Sequence, residues 1–99
     1  MAQVVLDLNN PQFQQDWFEL EHDHALAVLA SLKKLTLMEW SQLYADRGFR
    51  WEAIHSRTGP RGQRIHSLRI TRRVRALAFR DGDFLRFLSL HADHDSAYQ

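Results

Sequence analysis

The chain predicts an α+β fold: an N-terminal strand and two to three helices packed on an antiparallel sheet of about four strands. Two features carry that prediction. Apolar residues recur at helical spacing through the first half and at every second position through much of the second, and helices followed by a run of strands indicate segregated layers. The sequence Arg80-Asp81-Gly82-Asp83 also separates two apolar runs, and Asp-Gly supplies the positive φ that a tight hairpin needs. Ninety-nine residues are too few for a second hydrophobic core, so one domain is expected over residues 1–99.

Taken in order, Val4-Val5-Leu6 with Leu8 reads as a short strand. Asn10 is placed to cap a helix that begins with Pro11, where the missing N–H costs nothing. From Phe13 the apolar residues Trp17, Leu20, Leu26, Val28, Leu29, Leu32 and Leu35 follow helical spacing. They allow either two helices broken near Glu21 to Asp23 or one bent helix. Thr36, with Glu39 three residues on, has the form of a capping box. It predicts a helix from Leu37 to Tyr44 that buries Leu37, Trp40 and Tyr44 and stops at Asp46-Arg47-Gly48. Phe49 to Ile54 reads as extended, with a short helical turn as the alternative, and Thr58 to Gly62 as a loop of strong breakers. The remaining strands are Arg64 to Thr71, Val74 to Arg80, and Phe84 to His91.

Composition narrows the function classes. Apolar (44%) and charged (25%) fractions match a folded globular chain and argue against global disorder. No cysteine is present, which excludes disulfide and thiolate chemistry and fits a reducing cytoplasm. No basic n-region precedes an apolar run, and no stretch approaches the roughly 18 to 20 apolar residues of a membrane span. Neither a signal peptide nor a membrane anchor is therefore expected.

A formal net charge of +1 conceals a sharp division. Residues 47 to 80 hold ten arginines against Glu52 alone, a net of +9; elsewhere three basic residues face eleven acids, a net of −8. That asymmetry is expected of a protein meeting a polyanion on one face. Arginine, with its planar fork of donors, suits phosphate better than lysine does. The arginines offered to RNA are Arg57, Arg61, Arg64, Arg69, Arg72 and Arg73.

Alternation orients some of these side chains. Leu68 and Ile70 share one face of their strand; Ser67, Arg69 and Thr71 share the other. Arg75 falls with Leu77 and Phe79, either snorkelling at a sheet edge or held in a groove where its charge acts strongly on a phosphate. The run from His91 to Tyr98 gathers two imidazoles, two carboxylates and a phenol. It admits acid/base work, a core role for Tyr98, or a plain polar tail; no recognised metal-ligand spacing is present. His22 and His24 read as surface residues of an acidic helix, and His55 and His66 lie within the basic stretch.

Several of these segments together resemble the core of RelE/ParE-superfamily toxins. They are Ser67-Leu68-Arg69-Ile70-Thr71, Val74-Arg75-Ala76-Leu77-Ala78-Phe79, Asp81-Gly82-Asp83, Phe84 to His91, and Asp95-Ser96-Ala97-Tyr98. The likeness covers residues 64 to 98 well and the helical half only in element order. It implies a RelE-like fold and a metal-independent endoribonuclease without cofactor, which cleaves ribosome-bound mRNA by attack of the 2′-hydroxyl on the adjacent phosphate. By position it implies that Arg75 stabilises the phosphate, that Arg69 is a basic residue on the preceding strand, and that His91, His94 and Tyr98 are acid/base groups. Two features depart from RelE: Ala92 stands where a C-terminal arginine is expected, and a lysine pair on the preceding strand is missing. The gyrase-poisoning ParE branch and an inactive nucleic-acid-binding member remain the alternatives. The resemblance also implies a cognate antitoxin, with an acidic, partly disordered segment that folds across the basic face; a homodimer is left open.

Overall fold

A computed structural model describes residues 2–92. The elements are β1 (Val5–Asp7), α1 (Pro11–Phe18), α2 (His22–Leu35), α3 (Trp40–Ala45), β2 (Glu52–Thr58), β3 (Arg64–Arg69), β4 (Val74–Asp81) and β5 (Phe84–Ala92). Their sheet has the order β1-β5-β4-β3-β2. β2 to β5 form the expected antiparallel meander, and β1 adds a fifth, parallel strand beside β5. The three helices pack on one face, so the α+β expectation holds.

Local chemistry explains the helix boundaries. The Asn10 side chain accepts from the Gln12 amide at 2.8 Å, with Pro11 in the first turn. The long apolar-periodic segment is two helices, not one bent helix. Trp17 Nε1 donates to the Ala25 carbonyl at 3.0 Å and ties α1 to α2 across the break. Thr36 does not open the third helix. It ends α2, its hydroxyl donating to the Lys33 carbonyl at 2.6 Å. The reciprocal cap forms one step later, where the Glu39 amide donates to the Gln42 side chain at 2.8 Å.

The cause of that shift is tertiary. The Val4 amide donates to the Met38 carbonyl at 2.9 Å and the Trp40 amide to the Ala2 carbonyl at 2.8 Å, with Gln3 and Glu39 bridged antiparallel. Residues 37 to 39 are therefore held against the N-terminal segment and cannot join a helix. The expected burial of Leu37 and Tyr44 is corrected accordingly: Leu37 is 82% exposed and Tyr44 50% exposed, while Trp40 and Leu43 are buried.

The core lies between helices and sheet. Phe13, Leu35 and Trp40 meet Leu68, Leu85 and Phe87, and the Phe13 and Phe87 rings lie 5.0 Å apart. Each fully buried side chain of this size contributes about 1.5–3 kcal/mol. Gly82, at φ 62°, opens the two-residue turn between β4 and β5, a backbone region that glycine enters without strain.

β1 covers only Phe84 to Arg86 of β5, and beyond it Asp16 of α1 accepts from the Leu90 amide at 3.0 Å, which satisfies part of an open strand edge. β1 itself is fastened by charge. Arg86 reaches Asp7 at 2.6 Å and Asp81 at 2.9 Å. Burial works against the Asp7 carboxylate, but hydrogen bonds from Arg86 and the Asn9 amide, with the Arg86 charge, outweigh it and hold the pKa below the ordinary 3.8. Because the folded value is depressed, the stabilisation is fully present above pH 3.8 and is lost as pH falls through the folded value. Urea unfolding across an acid series should show this loss in the wild type, and Asp7→Asn should be destabilised near neutrality yet converge with the wild type in strong acid.

Candidate nucleic-acid interface

The face of the sheet without helices carries the candidate site. Leu68, Ala76 and Leu90 point into the helix-packed core, so alternation turns their neighbours Arg69, Arg75 and His91 to the opposite side. The register then sets these three in one row: Arg69 is paired with Arg75, and Arg75 with His91. Directly paired residues on antiparallel strands have Cα atoms about 5 Å apart. β4 is the central strand of the sheet, so the edge-snorkelling reading of Arg75 does not hold. His94 and Tyr98, the other acid/base candidates, lie outside the described residues.

A β-bulge makes this row. From the turn, Asp81 pairs with Phe84 and the ladder runs regularly to Ala78 opposite Phe87; it resumes with Leu77 opposite Ser89, leaving Leu88 as the extra residue. Without it Arg75 would face Leu90. With it Leu90 enters the core and His91 comes beside the arginine, the kind of re-aiming that bulges produce.

The adjacent row supplies two residues that sequence reasoning passed over. Ser67 pairs with Glu52 on one side and Leu77 on the other, and Leu77 with Ser89. Ser89 Oγ lies 2.9 Å from His91 Nε2, a hydrogen bond whose direction follows the imidazole tautomer and which fixes the ring. Glu52, the one acid of the basic stretch, shares this face and is paired with Arg50 at 3.1 Å. Arg50 itself sits at φ 50°, a left-handed conformation unusual for a residue with a side chain, held by its amide bonding to Asp46 at 3.2 Å. The serine and histidine two apart on one strand are a readable signal; the placement of Glu52 depends on a long-range register. Ile65, Leu77 and Phe79 form a buried apolar floor on this face, separate from the helix-packed core.

The six arginines offered to RNA lie in different parts of the structure. Arg69 joins the row. Arg57, Arg61 and Arg64 are exposed at the far end of β2 and β3, and alternation assigns Arg64 to the helix side with His66. The turn between β3 and β4 splits its pair: Arg72 lines a groove with Lys34 and Arg69, and Arg73 a different cavity with Glu19, Glu21 and His24.

His66 is removed from the row. Its ring stacks on Trp51, centroids 4.2 Å apart, beside Trp40, Tyr44 and Arg80. Burial chiefly lowers its pKa below 6.5; the polar backbone at Arg64 opposes this and the Arg64 charge reinforces it. Its Nδ1 is buried without a hydrogen-bond partner among the described residues. In a histidine NMR titration His66 should titrate below 6.5, and Trp51→Ala, by uncovering the ring, should return it towards that value.

No protein-family model matches the chain, and no curated protein matches it. Among solved structures, a copper-bound mutant toxin from Helicobacter pylori is similar over 99% of this chain and 100% of that one, with a TM-score of 0.50 and 18% identity. At that identity the likeness is one of fold: the layered arrangement of helices on a sheet also occurs in that toxin.

Proposed function

We propose that this chain is the toxin of a toxin–antitoxin pair, of the RelE/ParE kind, and that it acts in the cytoplasm as a metal-independent endoribonuclease on ribosome-bound mRNA. The observation that carries the reading is the in-register row Arg69, Arg75, His91 on the helix-free face. Two arginines paired across the ladder bring two cations to one patch of this face, and an RNA phosphodiester laid over the patch would meet both. The fold shared with the Helicobacter pylori toxin supports the toxin part of the reading.

The chemistry assigned is transesterification. The 2′-oxygen attacks phosphorus as a base takes its proton, and the bond to the 5′-oxygen breaks as an acid protonates that leaving group. The products are a 2′,3′-cyclic phosphate and a 5′-hydroxyl. Arg75 and Arg69 stabilise the extra negative charge in the transition state, where prepositioned donors contribute most. His91, oriented by Ser89, is the described candidate for the acid. Glu52 flanks the arginines from the β2 side as candidate base, with His94 and Tyr98 the further acid/base candidates. The antitoxin is expected to bring an acidic segment to the same face. The exposed apolar residues Phe18, Leu26 and Leu29 along α1 and α2 give a protein partner additional surface.

Purified protein added to a translating extract should truncate mRNA and leave cyclic-phosphate 3′ ends. Arg75→Ala should slow cleavage by about 10²- to 10³-fold, the scale of losing one transition-state donor. Glu52→Gln should lower the rate and remove the acidic limb of its pH profile. Intact message at protein concentrations that saturate ribosomes would falsify the nuclease reading. Double-strand DNA breaks with unharmed mRNA would instead favour a gyrase poison.

A further inference from the structure

The groove beside Arg69 is distinct from the helix-free face and has a chemistry of its own. It measures about 330 Å³ and lies between α2, the connection after α3, and the turn from β3 to β4. α2 offers Ser31 and Lys34, three residues apart and so on one side of the helix. The other cations are Arg69 and Arg72. Among the described residues no ion pair joins Lys34, Arg69 or Arg72 to a carboxylate.

The walls are fastened before any ligand arrives. The Ser31 hydroxyl donates to the Ile70 carbonyl and ties α2 to the turn. The Arg69 amide donates to the Phe49 carbonyl at 2.6 Å, and Lys34 Nζ sits 5.5 Å from the centre of the buried Phe49 ring. Thr71 Oγ1 accepts from the Arg73 amide at 3.1 Å and shapes the turn that carries Arg72. Asp46 is the one carboxylate among the lining residues, and it accepts from the Phe49 amide at 2.8 Å. Two cations, Lys34 and Arg72, with Arg69 at the rim, thus stand against one acid that already serves the backbone, in a cleft with fixed walls. Such a site favours a phosphate, because its donors need little reorganisation.

We propose that this groove is a second phosphate subsite, which takes a neighbouring backbone phosphate of the RNA strand laid over Arg69 and Arg75. The inference rests on the reading of the helix-free face as the RNA site. Arg69 belongs to both places, so the strand passes over the end of the sheet from one to the other. Lys34 then contributes to affinity from outside the arginine-rich stretch.

The test is binding of a fluorescein-labelled, single-stranded 2′-O-methyl RNA, whose blocked 2′-oxygen prevents cleavage, measured by anisotropy over a series of KCl concentrations. Lys34→Ala and Arg72→Ala should each weaken binding about threefold or more and flatten the slope of log affinity against log salt by about 0.7, the value for one lost single-strand phosphate contact. Lys33→Ala, which removes the same charge from an exposed neighbour on α2 outside the groove, should change neither quantity. If Lys33→Ala costs as much as Lys34→Ala, or if Lys34→Ala is silent while Arg69→Ala weakens binding, the subsite is overturned and the RNA face stands. A wild-type protein that binds this RNA at no salt concentration overturns both.

Discussion

The phase of β5 is the constraint on which the candidate site depends. A strand shows alternate residues to opposite faces, so a shift of one position exchanges every side chain between core and solvent. Leu88 introduces that shift midway, between the Phe87 and Ser89 pairings. The bulge is held by burial on both sides of it. Phe87 and Leu90 are both buried in the helix-packed core, which strict alternation from Phe87 would not permit. Their combined transfer energy, several kcal/mol by area, stabilises the irregular ladder. The position of His91 beside Arg75 is a by-product of hydrophobic packing on the far side of the sheet.

What could be read from the sequence follows the range of the interactions concerned. Asn10 with Pro11 and Asp81 with Gly82 were legible because the deciding contacts lie within a few residues. Strand identity was legible from the alternation through Ser67 to Arg69 and Val74 to Phe79. The third helix was misplaced because Thr36-x-x-Glu39 and Glu39-x-x-Gln42 are overlapping local signals. The choice between them is made by the backbone of Ala2 and Val4, more than thirty residues away. The same limit hid Glu52, whose neighbour Ser67 is set by strand pairing, and the bulge, since Leu88 fits either phase of an apolar strand. Of the named site, Arg69, Arg75 and His91 come together as a row, and Arg64 and Arg73 face elsewhere.

The charge division in the sequence also resolves into unlike parts. Arg80 lies over the Trp40 ring, 4.4 Å from its centre, and donates to the Tyr44 hydroxyl at 2.8 Å, so its cation serves packing. Arg86 serves the attachment of β1. Arg50 is matched by Glu52, and Arg73 faces an acidic cavity wall. The remaining arginines lie in separate places: Arg69 and Arg72 line a groove with Lys34, and Arg57, Arg61 and Arg64 are exposed at the far end of β2 and β3. Counting arginines missed the lysine that lines the groove.

Under the proposed function, the paired arginines bear on regulation. An anion that binds only the folded chain, held by both arginines, stabilises it. An RNA phosphate and a partner's carboxylate would act on the same two guanidinium groups through the same electrostatic gain. Each would exclude the other by occupancy, without a change in the fold of this chain. The side that wins is then set by how much further surface it engages. Under the proposed reading RNA would extend towards the groove at Lys34, and a protein partner would also cover the exposed apolar residues of α1 and α2. Inhibition built in this way is sensitive to salt at the shared row and insensitive to it at the apolar face, because screening weakens charge pairs and leaves apolar burial in place.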